Sequence, residues 1–108
     1  MTSQSKTVSR KENMKKFKEG LNTAVFTTKF VVHDKKEITH VYHYLEDGAW
    51  QFSSEDNFEN YEEIALILSL DEIIQLDSSI LGVADLPLGF VATRKSKADD
   101  WTITKNET

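Results

Sequence analysis

Residues 38–53 read ITHVYHYLEDGAWQFS, and this stretch predicts a β-hairpin. Residues 38–45 are rich in β-branched and aromatic side chains, which suit a strand. The Asp47–Gly48 pair supplies the positive φ angles that a tight hairpin turn needs. Residues 49–53 form the returning strand, so the hairpin is the centre from which the rest of the fold extends.

Further strands are predicted on both sides of the hairpin. Residues 23–33, TAVFTTKFVVH, have the composition of a strand, and the charged residues 34–37 form the turn that follows. Residues 64–68, IALIL, are a continuous apolar run, which indicates a strand buried on both faces or, at this length, the opening of a buried helix. Two short strands are expected near the end of the chain, over residues 90–94 and 101–104.

The strongest local pattern marks the start of a helix. Ser69 and Glu72 have the S-x-x-E spacing of a capping box, so we expect a helix over Leu70–Leu76. Asp77 is placed to cap a second short helical turn. The sum predicts an α+β fold, a mostly antiparallel sheet of five or six strands with short helices on one side.

The distribution of basic residues divides the chain into two parts. Residues 1–21 form a basic N-terminal arm, predicted to be disordered or a short helix, and residues 22–108 form a single α+β domain. The spacing of Met14, Phe17 and Leu21 favours the helix, and docking of Phe17 on the domain is the alternative to a solvated arm.

The domain carries a long segment without positive charge. No lysine or arginine occurs between Lys36 and Arg94, and the net charge of the chain is −5. The same segment contains twelve carboxylates: Glu37, Glu46, Asp47, Glu55, Asp56, Glu59, Glu62, Glu63, Asp71, Glu72, Asp77 and Asp85. A surface of one sign attracts basic partners and speeds their capture, and it repels nucleic acid.

Several classes of site lack their sequence patterns. The chain has no cysteine, which excludes disulfides and thiolate chemistry, and no apolar run long enough to span a membrane or to form a signal core. His40 and His43 would point to opposite faces of a strand, and calcium-loop spacing fails at Phe58 and Tyr61. A nucleophile elbow and a glycine-rich phosphate loop are both missing. We therefore predict no enzyme activity, no cofactor, no metal, no membrane association and a cytoplasmic location.

The aromatic residues fall into two groups. Trp50 and Phe52 share one face of a strand, and we expect that face to belong to the core. Phe58 and Tyr61 lie within the charged stretch SEDNFENYEE, residues 54–63, where they either hold this loop on the domain or serve as anchors for a partner. The predicted partner-binding residues are Glu55, Asp56, Phe58, Glu59, Tyr61, Glu62 and Glu63.

Two blocks of sequence carry a family resemblance. The first runs from residues 47–54, DGAWQFSS, through the charged stretch described above and residues 64–66 into the Leu70–Leu76 helix. The second is residues 86–90, LPLGF, with Arg94. Together they resemble a largely uncharacterised family of small bacterial domains that is grouped with immunity proteins of polymorphic toxin systems. Ala49 stands where that family usually has glycine, and the basic arm lies outside the resemblance.

The resemblance implies a non-catalytic protein-binding domain. It would neutralise a cognate bacterial toxin, a basic toxin domain, through the acidic surface loop, by steric occlusion and electrostatic complementarity. Two alternatives remain open from the residues alone. One is a housekeeping or regulatory interaction module unrelated to toxins, and the other is an enzyme or ligand-binding domain with a small pocket.

Overall fold

The protein was analysed as a computed structural model, which describes residues 15–107. Within that range the strands are β1 Ala24–Thr28, β2 His40–His43, β3 Trp50–Ser53, β4 Ala65–Ser69, β5 Phe90–Thr93 and β6 Thr102–Lys105. The α-helices are α1 Lys29–Val32, α2 Tyr61–Ile64 and α3 Leu70–Leu76, and a 3-10 helix covers Ser78–Val83.

The six strands form one mixed sheet in the order β4-β1-β3-β2-β5-β6. Four neighbouring pairs are antiparallel. The exception is β1 against β3, which run parallel with Phe26 opposite Gln51. The predicted α+β class is confirmed, with the difference that the sheet is mixed, because β1 inserts between β3 and β4 instead of extending a meander.

One side of the sheet, the inner face, carries the core. Alternate strand residues point to it, and Val25, Val41, Trp50, Phe52 and Ala92 are all almost completely buried there. The side chains that cover this face come from α3 and the 3-10 helix: Leu70, Ile73, Ile80 and Val83. The core assignment of Trp50 and Phe52 is therefore confirmed, and burial of these large side chains stabilises the fold.

The segment of residues 15–20 also contacts the inner face. Phe17 is buried with its ring edge-on to Trp50 at 4.9 Å, and Glu19 accepts a 3.0 Å hydrogen bond from the indole of Trp50. Lys15 donates to the Gly82 carbonyl at 3.2 Å. No helix forms over residues 15–21, and the rest of the predicted arm helix lies outside the described residues.

Two predicted strands differ from the structure in physically clear ways. The first ends at Thr28, whose hydroxyl accepts a 3.3 Å hydrogen bond from Val31 N–H and so starts α1 in place of further strand. The apolar run gives β4, but burial on both faces was wrong, because β4 lies at the sheet edge and Ile67 is 64% exposed.

The cap predictions are confirmed, and the turn prediction is confirmed in part. The Ser69 hydroxyl accepts from Glu72 N–H at 3.1 Å, and the Glu72 carboxylate accepts from Ser69 N–H at 2.9 Å. Asp77 accepts from Ser79 N–H at 3.0 Å and begins the 3-10 helix. Gly48 has φ of 74°, the left-handed conformation that was expected, but Asp47 has no positive φ, and the hydrogen bond from Gly48 N–H to the Tyr44 carbonyl makes the turn longer than the two-residue type.

A buried ion pair joins the 3-10 helix to the end of β5. The guanidinium of Arg94 lies 3.1 Å from Asp77 Oδ2, donates to the Ile38 carbonyl at 3.0 Å and stacks 4.0 Å over the ring of Trp101. Burial lowers the pKa of Arg94, and the neighbouring Asp77 opposes that shift. The contacts fix the end of the sheet against its helical layer.

Candidate protein-binding surface

The other side of the sheet, the outer face, is not covered by α3 or the 3-10 helix. One row of residues crosses five strands on this side: Ile67, Phe26, Gln51, Tyr42 and Val91. Ile67 and Phe26 are 64% and 37% exposed. Since α3 and the 3-10 helix lie on the inner side, an apolar surface remains open on this one.

Three aromatic rings follow β2 along the outer face. His40, Tyr42 and Tyr44 alternate along the chain, with ring centroids 6.3 Å apart for the first pair and 5.7 Å apart for the second. The Tyr44 hydroxyl donates to Gln51 Oε1 at 2.9 Å, which ties the row to β3. The rings therefore form a preorganised aromatic surface.

A groove of about 220 Å³ lies between this surface and the loop that follows β3. On the sheet side, Tyr42, Gln51 and Ser53 line it, together with Thr28 and His40. The loop side supplies Ser54, Glu55, Asp56, Phe58 and Tyr61, and α1 adds Phe30. The groove thus joins four of the seven predicted binding residues to sheet residues that lie far from them in sequence.

Residues 55–63, called the acidic loop from here on, present their carboxylates unequally. Glu55, Glu59, Glu62 and Glu63 are exposed. Asp56 is partly buried, accepts a hydrogen bond from the Ser54 hydroxyl and lies 3.3 Å from the ammonium of Lys36. Four charges are therefore displayed to solvent, and the fifth holds the loop against the domain.

The two aromatic residues of the acidic loop also differ. Phe58 is 49% exposed, and its ring lies 6.0 Å from that of Tyr61. Tyr61 starts α2, and its hydroxyl is buried without a hydrogen-bond partner among residues 15–107. Tyr61 thus holds the loop down, and Phe58 is the more exposed of the two rings.

Burial in this region keeps the tyrosines uncharged. It raises the pKa of Tyr44 to about 12, with smaller contributions from Tyr42, Tyr61, Glu46 and Asp47. The same cause raises the pKa of Tyr42 and of Tyr61. The negative charge of the surface at neutral pH therefore comes from carboxylates alone.

The sheet half of this surface was missed from the sequence. The alternation of His40, Tyr42 and Tyr44 in residues 38–45 was a usable pattern, because alternate strand residues share a face. What the pattern lacked was any sign that the inner face would be covered and the outer face left open. The contact between this row and the acidic loop depends on tertiary packing.

The histidines do not form a metal site in the described part of the chain. His43 lies on the inner side, stacked on Trp50 at 3.9 Å, with Nδ1 2.7 Å from the Leu86 carbonyl. His40 points to the outer face. Residues 15–107 hold no cluster of three or more potential ligands of the histidine, cysteine, aspartate or glutamate type.

Residues 15–107 likewise contain no helix that is long and apolar enough to cross a membrane. Comparisons of the chain with protein-family models, with curated proteins and with solved structures found no match.

Proposed function

We propose that this chain is a non-catalytic protein-binding domain of the immunity type, which neutralises a cognate bacterial toxin in the cytoplasm. The observation that carries the proposal is the acidic loop, where exposed Phe58 is surrounded by exposed carboxylates beside an uncovered aromatic sheet face. An apolar anchor within a polar rim is the usual composition of a protein-binding hot spot. The binding residues are Glu55, Asp56, Phe58, Glu59, Tyr61, Glu62 and Glu63.

Inhibition in this proposal needs no chemistry. The exposed glutamates attract a basic toxin domain and raise its association rate, and Phe58 is then buried in the complex. The bound domain blocks the toxin's working surface by steric occlusion. Asp56 and Tyr61 act indirectly, because they hold the acidic loop in the shape that presents the other side chains.

At the groove beside the acidic loop, the volume favours an inserted protein side chain over a small-molecule ligand. Pockets for drug-sized ligands and cofactors have volumes of roughly 300–1,000 Å³. The groove beside the acidic loop measures about 220 Å³, which suits one inserted side chain. A housekeeping or regulatory interaction module would use the same surface, so the identity of the partner separates that function from toxin neutralisation.

Affinity capture with matched variants tests the proposal. The wild-type chain, a loop variant (E55Q, E59Q, E62Q, E63Q) and a control variant (D34N, E46Q, D100N, E107Q) would serve as baits in lysate of the source bacterium. All eight positions are exposed, and both variants remove four charges. We expect the wild type and the control to retain one partner that the loop variant loses, and mass spectrometry to identify it as a toxin.

Two further measurements decide between the functions. If the identified partner inhibits bacterial growth, co-expression of this chain should rescue that growth. A partner that does not inhibit growth would favour the housekeeping or regulatory module. The association rate should fall about tenfold or more between roughly 0.01 M and 0.15 M salt, because screening shortens the range of steering. An association rate that hardly changes over this range would contradict the role given to the glutamates.

A further inference from the structure

We infer that the groove between the outer face and the acidic loop receives the guanidinium group of an arginine side chain from a protein partner. The inference rests on the proposed function and names the chemistry of the residue that the partner inserts. It goes beyond the acidic loop, because Tyr42, Gln51 and Ser53 of the sheet become part of the binding site.

The charge of the groove selects a cation. Glu55 and Asp56 are among the lining residues, and no lysine or arginine of the described chain is. Lys36 lies just beyond the lining, with its ammonium 3.3 Å from Asp56 Oδ1. Asp56 is therefore already paired with a cation of the protein itself. Glu55 remains as the exposed carboxylate of the groove that can bind a cation from a partner.

The shape and the aromatic lining select arginine over lysine. Tyr42, Phe58 and Tyr61 supply aromatic rings to the groove, and Phe58 is 49% exposed. A guanidinium is planar, weakly hydrated and able to stack on such rings while its N–H groups donate to a carboxylate. A lysine ammonium is a compact, strongly hydrated charge and gains less from an aromatic wall.

A second copy of this chain is a poor occupant of the same surface. The chain has a net charge of −5, and a symmetric dimer with the acidic loop near its two-fold axis would bring two acidic loops together. Like charges in contact disfavour that arrangement. Charge complementarity therefore points to a basic segment of a different protein.

A titration with short blocked peptides tests the inference directly. Acetyl-Gly-Arg-Gly-amide would be added to the isotope-labelled full chain, with backbone amide shifts followed by NMR, and compared with the same peptide carrying citrulline or lysine. We expect the arginine peptide to bind in about the millimolar range and to shift signals of Tyr42, Gln51, Ser53 and Phe58. The citrulline peptide, which is nearly isosteric but uncharged, should bind about tenfold more weakly.

Matched variants locate the binding to the groove. E55Q should weaken the arginine peptide about threefold, and E46Q should leave it unchanged, because Glu46 is an exposed glutamate of the same charge that does not line the groove. Y42L should weaken it further by removing an aromatic wall. If Y42L fails to fold, the E55Q and E46Q comparison still decides the question.

Three results would overturn the inference. Equal binding of the arginine and citrulline peptides would contradict the role given to charge, and equal effects of E55Q and E46Q would show that the peptide does not bind in the groove. Free L-arginine binding much more tightly than the blocked peptide would indicate a small-metabolite site, because the free amino acid has the same net charge as the peptide and differs from it in its α-ammonium and α-carboxylate groups.

Each of the two proposals can be refuted without the other. If the arginine peptide does not bind but the loop variant still loses its toxin partner, the groove inference is wrong and the proposed function stands. If the peptide binds in the groove but wild-type and loop-variant baits capture the same proteins, the proposed function is wrong.

Discussion

The two faces of the sheet are built from the same strands but have different roles. Along β3, Trp50 and Phe52 are 2% and 0% exposed on the inner face, and Gln51 and Ser53 between them line an open groove on the outer face. The helical layer accounts for the difference, because α3 and the 3-10 helix lie on one side only. The inner face therefore stabilises the fold, and the outer face remains available for a partner.

The largest contrast is expected between two phenylalanines on neighbouring strands. Phe52 is fully buried on the inner face and Phe26 is 37% exposed on the outer face. F52A should lower the free energy of unfolding by about 3–5 kcal/mol, because it removes buried surface and leaves a cavity. F26A should cost about 1 kcal/mol or less. Urea unfolding of both variants measures the contrast, and equal losses would show that the outer face is part of the core.

A smaller loss is expected from breaking the ion pair at the border of the helical layer. D77A leaves the buried guanidinium of Arg94 without its carboxylate and removes the cap of the 3-10 helix, so we expect a loss of about 3 kcal/mol. The double variant D77L/R94M removes both charges and should cost less than D77A alone. A double variant that is less stable than D77A would show that Arg94 contributes mainly through Trp101 and the Ile38 carbonyl.

Removing unpaired hydroxyl groups should raise stability slightly on both faces. The Thr27 hydroxyl is buried in the sheet and the Tyr61 hydroxyl is buried under the acidic loop, and neither has a partner among residues 15–107. T27V and Y61F each keep the shape of the side chain, so each should raise the free energy of unfolding by about 1 kcal/mol. Thermal unfolding would measure this gain. A destabilised T27V would mean that an ordered water molecule is hydrogen-bonded to the Thr27 hydroxyl.

The smallest expected effect on stability comes from Tyr44 on the outer face, and it appears only at high pH. Burial raises the pKa of Tyr44 to about 12 from the model-peptide value of 10.0, so the fold favours the neutral phenol. This contribution to stability is complete below pH 10.0 and is lost as the pH rises towards 12. Phenolate absorbance of the native chain should show a midpoint near 12 that Y44F removes, and the same titration in denaturant should centre near 10.

Local patterns in the sequence predicted the parts of the fold that local chemistry determines. The capping box of Ser69 and Glu72, the Gly48 turn and the burial of Trp50 and Phe52 each depend on residues a few positions apart. The end of β1 was missed although its cause is also local, because a Thr28 cap competes with a strand composition that continues beyond it.

The remaining errors concern contacts between distant segments. The position of β4 at the sheet edge, which leaves Ile67 exposed, follows from strand order, and an apolar run does not encode strand order. The candidate site shows the same limit. The acidic loop was recognisable from its residues, but Tyr42 and Gln51 joined it only when the loop was found against the outer face. Which residues the loop packs against is a property of the whole fold.

The central position of β1 has a consequence for the order in which the chain can fold during synthesis. β1 is the first strand to be made, but both of its neighbours, β3 and β4, come later in the chain. The hairpin of β2 and β3 can pair as soon as it emerges, whereas β1 has to remain unpaired on one edge until β4 is complete. We expect V41A to slow folding and V25A mainly to speed unfolding, as rates from stopped-flow mixing would show. A chain released before Ser69 would expose β1 as an open apolar edge, which is the kind of surface that chaperones and aggregates bind.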